Sequence, residues 1–373
     1  MGNKVTGSGR VGKEIRLLDE EVAFVGVDVH KRTFDVAVWT EGREWVKTWT
    51  QPADPSALCE RLEPIRGQVA DVVYEAGPTG YGLYDVLCEA NFPAAVSAPS
   101  RTPTSPARRA KSDGIDARKA AFLDGKGMLT TIYVPTPEER AGRQVVRRRG
   151  QVAKSRKRIR NQIKSFLLFH GLAEPKGLEN WSRYAVEALR ELALSELLRW
   201  TLDSMLDEMA CVEKLCDEAE RRIAQLAQTE RYADLAERLQ SVPGIGLLTT
   251  MTFLTEVPSP ERFTSGRQMA CYLGLAPWTG RSGGSAKSGP IMKAGNRRVR
   301  TMLVEAAWQW KKNDPAARAT FKRLAARRKN SKIAIVAVAR RLAILLWRIA
   351  TGRETYPPDP GGGEEAAQLA PES

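Results

Sequence analysis

Four carboxylates are candidates for metal chemistry, each with a plainer reading beside it. Asp28 lies inside an apolar β-rich run between Val27 and Val29. A charge in a strand centre costs free energy unless something there requires it. The competing reading is a strand-end Asp facing solvent beside the His30 turn. Glu75 closes the apolar run Val69–Tyr74 and precedes Ala76-Gly77-Pro78, so it sits at a strand's C-terminal edge, or is a simple loop carboxylate. Asp113 and Asp116 open a helix in Lys-Ser-Asp-Gly-Ile-Asp-Ala-Arg. Their i, i+3 spacing shares one helix face, although an acidic helix start also serves as a cap. Two acids on strands and two on a later helix of an α/β sheet are what a two-Mg²⁺ phosphodiester site requires. Carboxylates are hard ligands that hold two ions roughly 4 Å apart against the attacking and leaving oxygens.

A second candidate group lies far along the chain. Gly280-Arg-Ser-Gly-Gly284 matches G-x-S-x-G, yet no predicted strand precedes it and no histidine follows Ser282. A hydrolase nucleophile elbow is therefore excluded. Ser285 and Ser288 occupy the same Gly/Ser-rich loop, which could also simply contact phosphate. Val242-Pro-Gly-Ile-Gly246 resembles the turn of a helix-hairpin-helix, with Gly244 and Gly246 letting backbone N–H groups approach a phosphate; a plain turn between helices is the alternative.

These groups need a scaffold. Val22–Val29 and Thr33–Trp39 read as a hairpin and Arg43–Trp49 as a third strand. Helices over Ser56–Ile65 and Tyr81–Ala90 alternate with strands over Val69–Tyr74 and Ala94–Ser97, and a helix over Asp113–Leu123 follows. Residues 21–134 thus form a mixed α/β domain after a loose arm at 1–20. From Pro137 the pattern is helical. Glu138–His170 is a basic helix. Leu198, Leu202, Met205, Met209, Val212, Cys216, Ala219, Ile223 and Leu226 step by four and three, the a/d seam of a coiled coil. This spacing assigns 138–239 to a basic helix and coiled-coil region and 240–350 to a third, mainly helical domain. A disordered tail is expected over 354–373.

The charge supports a polyanionic partner. The 373 residues carry 58 Lys plus Arg against 44 Asp plus Glu, a formal net of +14. Ten basic residues and no acid lie in Arg143–Lys164, and eight with no acid in Arg262–Val304. Twelve, with Asp314 the single acid, lie in Lys311–Arg348, whereas Gly171–Glu261 holds 17 acids and nine bases. Three such blocks favour nucleic acid over a solvated helix face. The contact candidates are Arg147, Arg148, Arg149, Lys154, Arg156, Lys157, Arg158, Arg160 and Lys164. Gly244, Gly246, Arg281, Lys287, Lys293, Asn296, Arg297, Arg298 and Arg300 complete the set. No apolar run reaches the ~20 residues of a membrane span, because Arg340 and Arg341 interrupt Ile333–Ile349. No signal segment follows Met1, and five unpaired cysteines and two histidines exclude most zinc sites. The expected class is a cytoplasmic, basic protein.

Three segments carry a resemblance. Val25-Gly-Val-Asp-Val-His-Lys-Arg-Thr-Phe-Asp-Val-Ala-Val38, Tyr74-Glu-Ala-Gly-Pro-Thr-Gly-Tyr81 and Lys111-Ser-Asp-Gly-Ile-Asp-Ala-Arg118 closely resemble the DEDD transposases. These are bridge-RNA-guided insertion-sequence recombinases related to the Piv invertase. The resemblance implies a RuvC-like, RNase H-type first domain with Asp28, Glu75, Asp113 and Asp116 as metal-binding tetrad. Gly274-Leu-Ala-Pro-Trp278 and Met292-Lys-Ala-Gly-Asn-Arg-Arg-Val-Arg300 are similar to the same family's C-terminal transposase domain, where a serine attacks DNA; Ser282 matches it. It further implies Mg²⁺, donor and target DNA, a structured bridge RNA, a homo-oligomer (dimer or tetramer) with a shared active site, and a place at the nucleoid. Actin-like sugar kinases place an Asp in a similar first strand but follow it with a Gly-rich phosphate turn, unlike Val29-His30-Lys31. A junction nuclease without RNA, and a non-catalytic RNA-binding scaffold, are the rival functions.

Overall fold

The computed structural model describes residues 14–101, 113–282, 285–292, 294–328 and 330–357, in two compact units divided between Val134 and Pro135. In the first, β1 (Ala23–Val29) and β2 (Thr33–Thr40) form the expected hairpin, and β3 (Glu44–Pro52) pairs with β2. α1 (Pro55–Leu62) leads to β4 (Val69–Glu75), and α2 (Gly82–Glu89) to β5 (Ala94–Ser97). α3 (Asp113–Gly125) closes the unit. The sheet order is β3-β2-β1-β4-β5, antiparallel through β1 and parallel from β1 to β5. This is the mixed α/β domain that the alternation predicts.

Strand periodicity explains the layers. Val25 and Val27 are fully buried with Leu58 and Leu62 of α1 and Leu83 and Leu87 of α2. The opposite face of β1 carries Phe24, Gly26 and Asp28 and is covered by α3. Gly26 makes that contact possible: a Cβ there would lie 2.0 Å from the Ala117 carbonyl oxygen and 2.6 Å from the Ala121 nitrogen. The chain is already anchored from Ile15, buried in the same core, and Gln68 Nε2 donates to the Leu18 carbonyl at 2.6 Å, so the expected loose arm is tied down from there; residues 1–13 lie outside the described residues.

The second unit begins with α4 (Pro137–Phe169). Thr136 accepts from the Glu139 amide at 3.2 Å while Glu139 accepts from the Thr136 amide at 2.9 Å, a capping box with Pro137 in the first turn. α5 (Arg183–Arg190) precedes α6 (Glu196–Ala227), which lies antiparallel along α4. The ion pairs show the direction: Arg149 meets Glu220, whereas Arg158 and Arg160 meet Glu208 and Glu213. On the predicted seam Leu202, Met209, Cys216, Ala219 and Ile223 are buried.

α7 (Ala233–Gln240), α8 (Leu247–Glu256) and α9 (Gly266–Tyr272) lead to a two-stranded hairpin of β6 (Pro277–Ser282) and β7 (Ser285–Ile291). α10 (Arg297–Asn313), α11 (Pro315–Arg328) and α12 (Ser331–Ala350) finish the unit. The hairpin replaces the Gly/Ser-rich loop expected within a mainly helical domain. The expected boundary at 239/240 is not a break either: Val146 of α4 and Ile223 of α6 share one core with Leu254, Leu303 and Leu342. Tyr356 donates to Asp314 Oδ2 at 2.8 Å, so the chain is held to that point; the rest of the expected tail, 358–373, lies outside the described residues. Among the described residues no helix is long and apolar enough to cross a membrane.

Candidate functional site

The hairpin and the parallel pair bring the sheet's acids to one end. Val27 pairs with Tyr74, so Asp28 and Glu75 stand one step further along adjacent strands, on the same face. Asp28 is half-buried, and His30 Nε2 approaches its Oδ2 at 3.3 Å; the contact is an ion pair only when the imidazole is protonated. Glu75 is exposed at the strand's final residue.

α3 supplies the other two acids from above. Its direction follows from two glycine contacts. Gly125, at the helix's end, packs on Trp39 and Phe24, whereas Ala117 and Ala121 pack on Gly26. The helix therefore runs opposite to β1, its C-terminus over the strand's start. The two residues from Gly26 to Asp28 span about 6.6 Å, which corresponds to about four helix residues before this contact. That level is the first turn of α3, which holds Asp113 and Asp116. Asp116 is exposed; the Asp113 side chain lies outside the described residues. Asp28, Glu75 and Asp116 are hard oxygen donors, the set that a divalent cation such as Mg²⁺ takes. Among the described residues no three His, Cys, Asp or Glu side chains already converge on one point.

Ser282 belongs to the second unit, at the end of β6 and paired with Ser285; Ser288 pairs with Thr279. A strand does precede Ser282, contrary to expectation. The element after it is another strand, not a helix, so the elbow stays excluded. The side chains of Ser282, Ser285 and Ser288, like those of Arg281 and Lys287, and all of Lys293, lie outside the described residues. The hairpin's base is tightly built. Gly274 has φ +67° and Gly295 φ +136°, and a Cβ on Gly295 would meet the Tyr272 oxygen at 2.5 Å and the Gly274 nitrogen at 2.7 Å. Only glycines allow that approach.

Four members of the expected nucleic-acid set, Arg147, Asn296, Arg300 and Gly244, are engaged within the protein. Arg147 Nε and Nη2 donate to Glu256 at 2.8 and 2.9 Å. Glu256 is 2% exposed and also accepts from Asn296 Nδ2 at 2.9 Å. Burial by itself would raise the Glu256 carboxyl, but the Arg147 and Asn296 hydrogen bonds and the Arg147 and Arg143 charges hold it below the ordinary range. Asn296 caps α10 through the Arg298 and Val299 amides, and Arg300 donates to the Leu273 carbonyl at 3.2 Å. Gly244, φ +87°, is a glycine because a Cβ would stand 2.8 Å from Gln309 Cβ and 2.9 Å from the Trp310 nitrogen. Gly246 precedes α8 with open space where a Cβ would stand.

On α4, Arg149, Arg158, Arg160 and Lys164 are engaged by Glu220, Glu208, Glu213 and Glu174. Arg148, Lys154 and Lys157 are exposed and Arg156 half-buried, none of the four in an ion pair among the described residues; Arg297 and Arg298 are exposed at the start of α10. Glu256 and Gly26 escaped the sequence reading. A lone glycine inside Val25-Gly-Val-Asp28 was the available signal for close backbone approach.

Comparison with known proteins agrees with both ends of the chain. A family model described as Transposase IS116/IS110/IS902 family matches residues 236–322, and the DEDD model of IS110, described as Transposase, matches residues 25–171. The protein y4qE of Sinorhizobium fredii, named as a transposase, is 33% identical over 362 residues, 89% of each chain. The transposase for insertion sequence element IS1111A of Coxiella burnetii is 23% identical over 350 residues, 92% of this chain and 94% of its own. That for IS1533 of Leptospira borgpetersenii is 25% identical over 331 residues, 87% of this chain and 94% of its own.

Proposed function

The chain belongs to the IS116/IS110/IS902 transposase family, and from that premise we propose how it breaks and rejoins DNA. The reading is a recombinase of a mobile element in which an RNase H-like, RuvC-type first unit supplies Asp28, Glu75, Asp113 and Asp116 as metal-binding carboxylates. The observation that carries it is the course of α3. The helix crosses β1 on Gly26 in the direction that sets its first turn at the level of Asp28 and Glu75. The β3-β2-β1-β4-β5 order supports the fold assignment. Mg²⁺, when bound, would polarise the scissile phosphate and lower the pKa of an attacking hydroxyl.

The protein's own part is positioning and proton transfer. The Ser282 hydroxyl is the nucleophile of this reading, and it needs a base. No acid lies between Arg262 and Val304, so a tetrad carboxylate takes its proton as the Oγ–P bond forms. The bond from phosphorus to one DNA oxygen breaks, and that oxygen leaves as a hydroxyl once protonated. Resealing runs the same steps backwards with a different strand. The site is therefore composite, completed within a homo-oligomer. α4 and α6 are read as its coiled coil. The remaining part of the proposal is a structured bridge RNA that pairs with donor and target DNA at the nucleoid. Sequence choice is then delegated to base pairing, while basic side chains hold backbone.

The test is recombination between a donor carrying the element's ends and a target plasmid, with and without the noncoding segment that flanks the reading frame. Asp28→Asn and Ser282→Ala are each expected to abolish strand exchange with DNA and RNA binding intact, and deletion of the flanking segment to abolish it too. Unchanged exchange by Ser282→Ala removes that serine from the mechanism. Exchange that survives loss of the segment removes the guide, and full function of Asp28→Asn leaves a scaffold.

A further inference from the structure

One transverse row of the sheet is polar from edge to edge, and it contains an acid that the tetrad does not use. Asp28 pairs with Asp35 across β1 and β2, and Asp35 with Thr50 across β2 and β3. On the other side Glu75 stands at the level of Asp28 and pairs with Ser97 of β5. The row reads Thr50, Asp35, Asp28, Glu75, Ser97. Its neighbour one step down on the same face reads Thr48, Ala37, Gly26, Val73, Ala95, mostly small and apolar beneath α3. Side chains paired across antiparallel strands project to the same face with Cβ atoms about 4.5–5.5 Å apart. Asp35 therefore shares Asp28's face, on the side away from Glu75.

Two carboxylates directly opposite each other destabilise a strand pair. A salt bridge does not relieve Asp35: among the described residues its partner is the Thr50 hydroxyl, which donates to Oδ1. That hydroxyl fixes the plane of the carboxylate and leaves Oδ2 for another ligand. Such an arrangement suits a cation shared by the two carboxylates, which would offset their repulsion. His30 Nε2, 3.3 Å from Asp28 Oδ2, does so as an ion pair only when protonated. We propose that Asp35 is a fifth carboxylate of the metal site, binding the same divalent ion as Asp28 and oriented by Thr50. The inference rests on the tetrad reading above and adds a ligand to it.

The experiment measures the melting temperature of the full-length protein without DNA, in chelator and across a titration of MnCl₂ or MgCl₂. Asp35→Asn keeps an oxygen to accept from Thr50, so its fold should be retained. Removing one of two facing charges should leave its chelator melting temperature equal to or above wild type. Its half-saturating Mn²⁺ concentration should rise at least tenfold, and Asp28→Asn should lose the metal-induced shift altogether. Thr50→Val, which only frees the carboxylate, should weaken the response by less than Asp35→Asn. A purely structural Asp35 gives the reverse pattern, a lower melting temperature in chelator with an unchanged Mn²⁺ midpoint, and overturns the proposal. If Asp35→Asn does not fold, an unchanged midpoint in Thr50→Val overturns it. Loss of the response in Asp28→Asn but not in Asp35→Asn rejects Asp35 alone. A wild-type protein without any metal response rejects the tetrad reading together with it.

Discussion

At the scale of single residues, the glycine beside the acid matters as much as the acid. Gly26 lets α3 lie against β1, and the helix brings the last two carboxylates to the level of the first two. Gly26→Val would push a side chain into the Ala117 carbonyl, which is backbone and cannot swing away. Overpacking of this kind typically costs about 1–3 kcal/mol. The expected outcome is a lower midpoint in chemical denaturation and a loss of recombination of the same order as Asp28→Asn, though valine takes no part in chemistry. Wild-type recombination by a folded Gly26→Val would show that the position of α3 does not set the site. Asp28 stands out in the sequence because a carboxylate is anomalous in its apolar run. A residue whose partner lies far away in sequence carries no such mark. Arg147 looks like any other member of a basic block, and its partner Glu256 lies 109 residues further on.

At the scale of elements, the first unit follows period-two alternation and short turn signals closely, because each strand buries a face that its own residues announce. The β6–β7 hairpin was not legible. Pro277, Gly280, Gly289 and Pro290 are poor strand residues, and the pairing is held instead by Gly274 and Gly295 at its base. α3 holds a second acidic feature, at its end remote from the tetrad. Burial, and then the nearby Asp71 charge, push the Asp124 carboxyl up to about 6, and burial raises Asp71. Each has a buried oxygen without a hydrogen-bond partner among the described residues. A raised carboxyl keeps in the folded state a proton that the unfolded chain has lost above its ordinary value of 3.8. Stability therefore falls as pH rises from near 4 to above 6. Asp124→Asn should remove this cost. At pH 8 it should stabilise the first unit by about 1–2 kcal/mol, discounted for partial exposure, and the gain should vanish towards pH 4. A pH-independent effect in thermal melts would refute the assignment.

At the scale of the whole molecule, the net charge of +14 overstates the surface offered to phosphates. Three bases of the α4 block are answered by acids of α6, and Arg147 and Lys164 by Glu256 and Glu174. Segregation along the sequence thus becomes partial neutralisation in space. Composition identified the partner class but could not show this cancellation, since the α4–α6 pairs lie 50 to 71 residues apart. Arg148, Lys154 and Lys157 are exposed with no ion pair among the described residues, and the proposed function gives them the backbone contacts. Replacing these three with Ala should flatten the dependence of log K on log salt by about two to three, near 0.7–0.9 per lost phosphate contact. The same substitutions at Arg149, Arg158 and Arg160 should change the slope far less. Equal slopes for the two triple variants, in filter binding or fluorescence anisotropy, would count against that division of the basic surface.

The central claim is that metal-binding carboxylates of the first unit activate a serine of the second. The direct measurement is the covalent protein–DNA adduct formed on element-end DNA with Mg²⁺ and the flanking transcript, mapped by mass spectrometry of the digested protein. The account predicts DNA linked to the peptide that contains Ser282, lost in Ser282→Ala and in Asp28→Asn alike. Strand breaks at the wild-type rate by Ser282→Ala, with no residue linked to DNA, would contradict it.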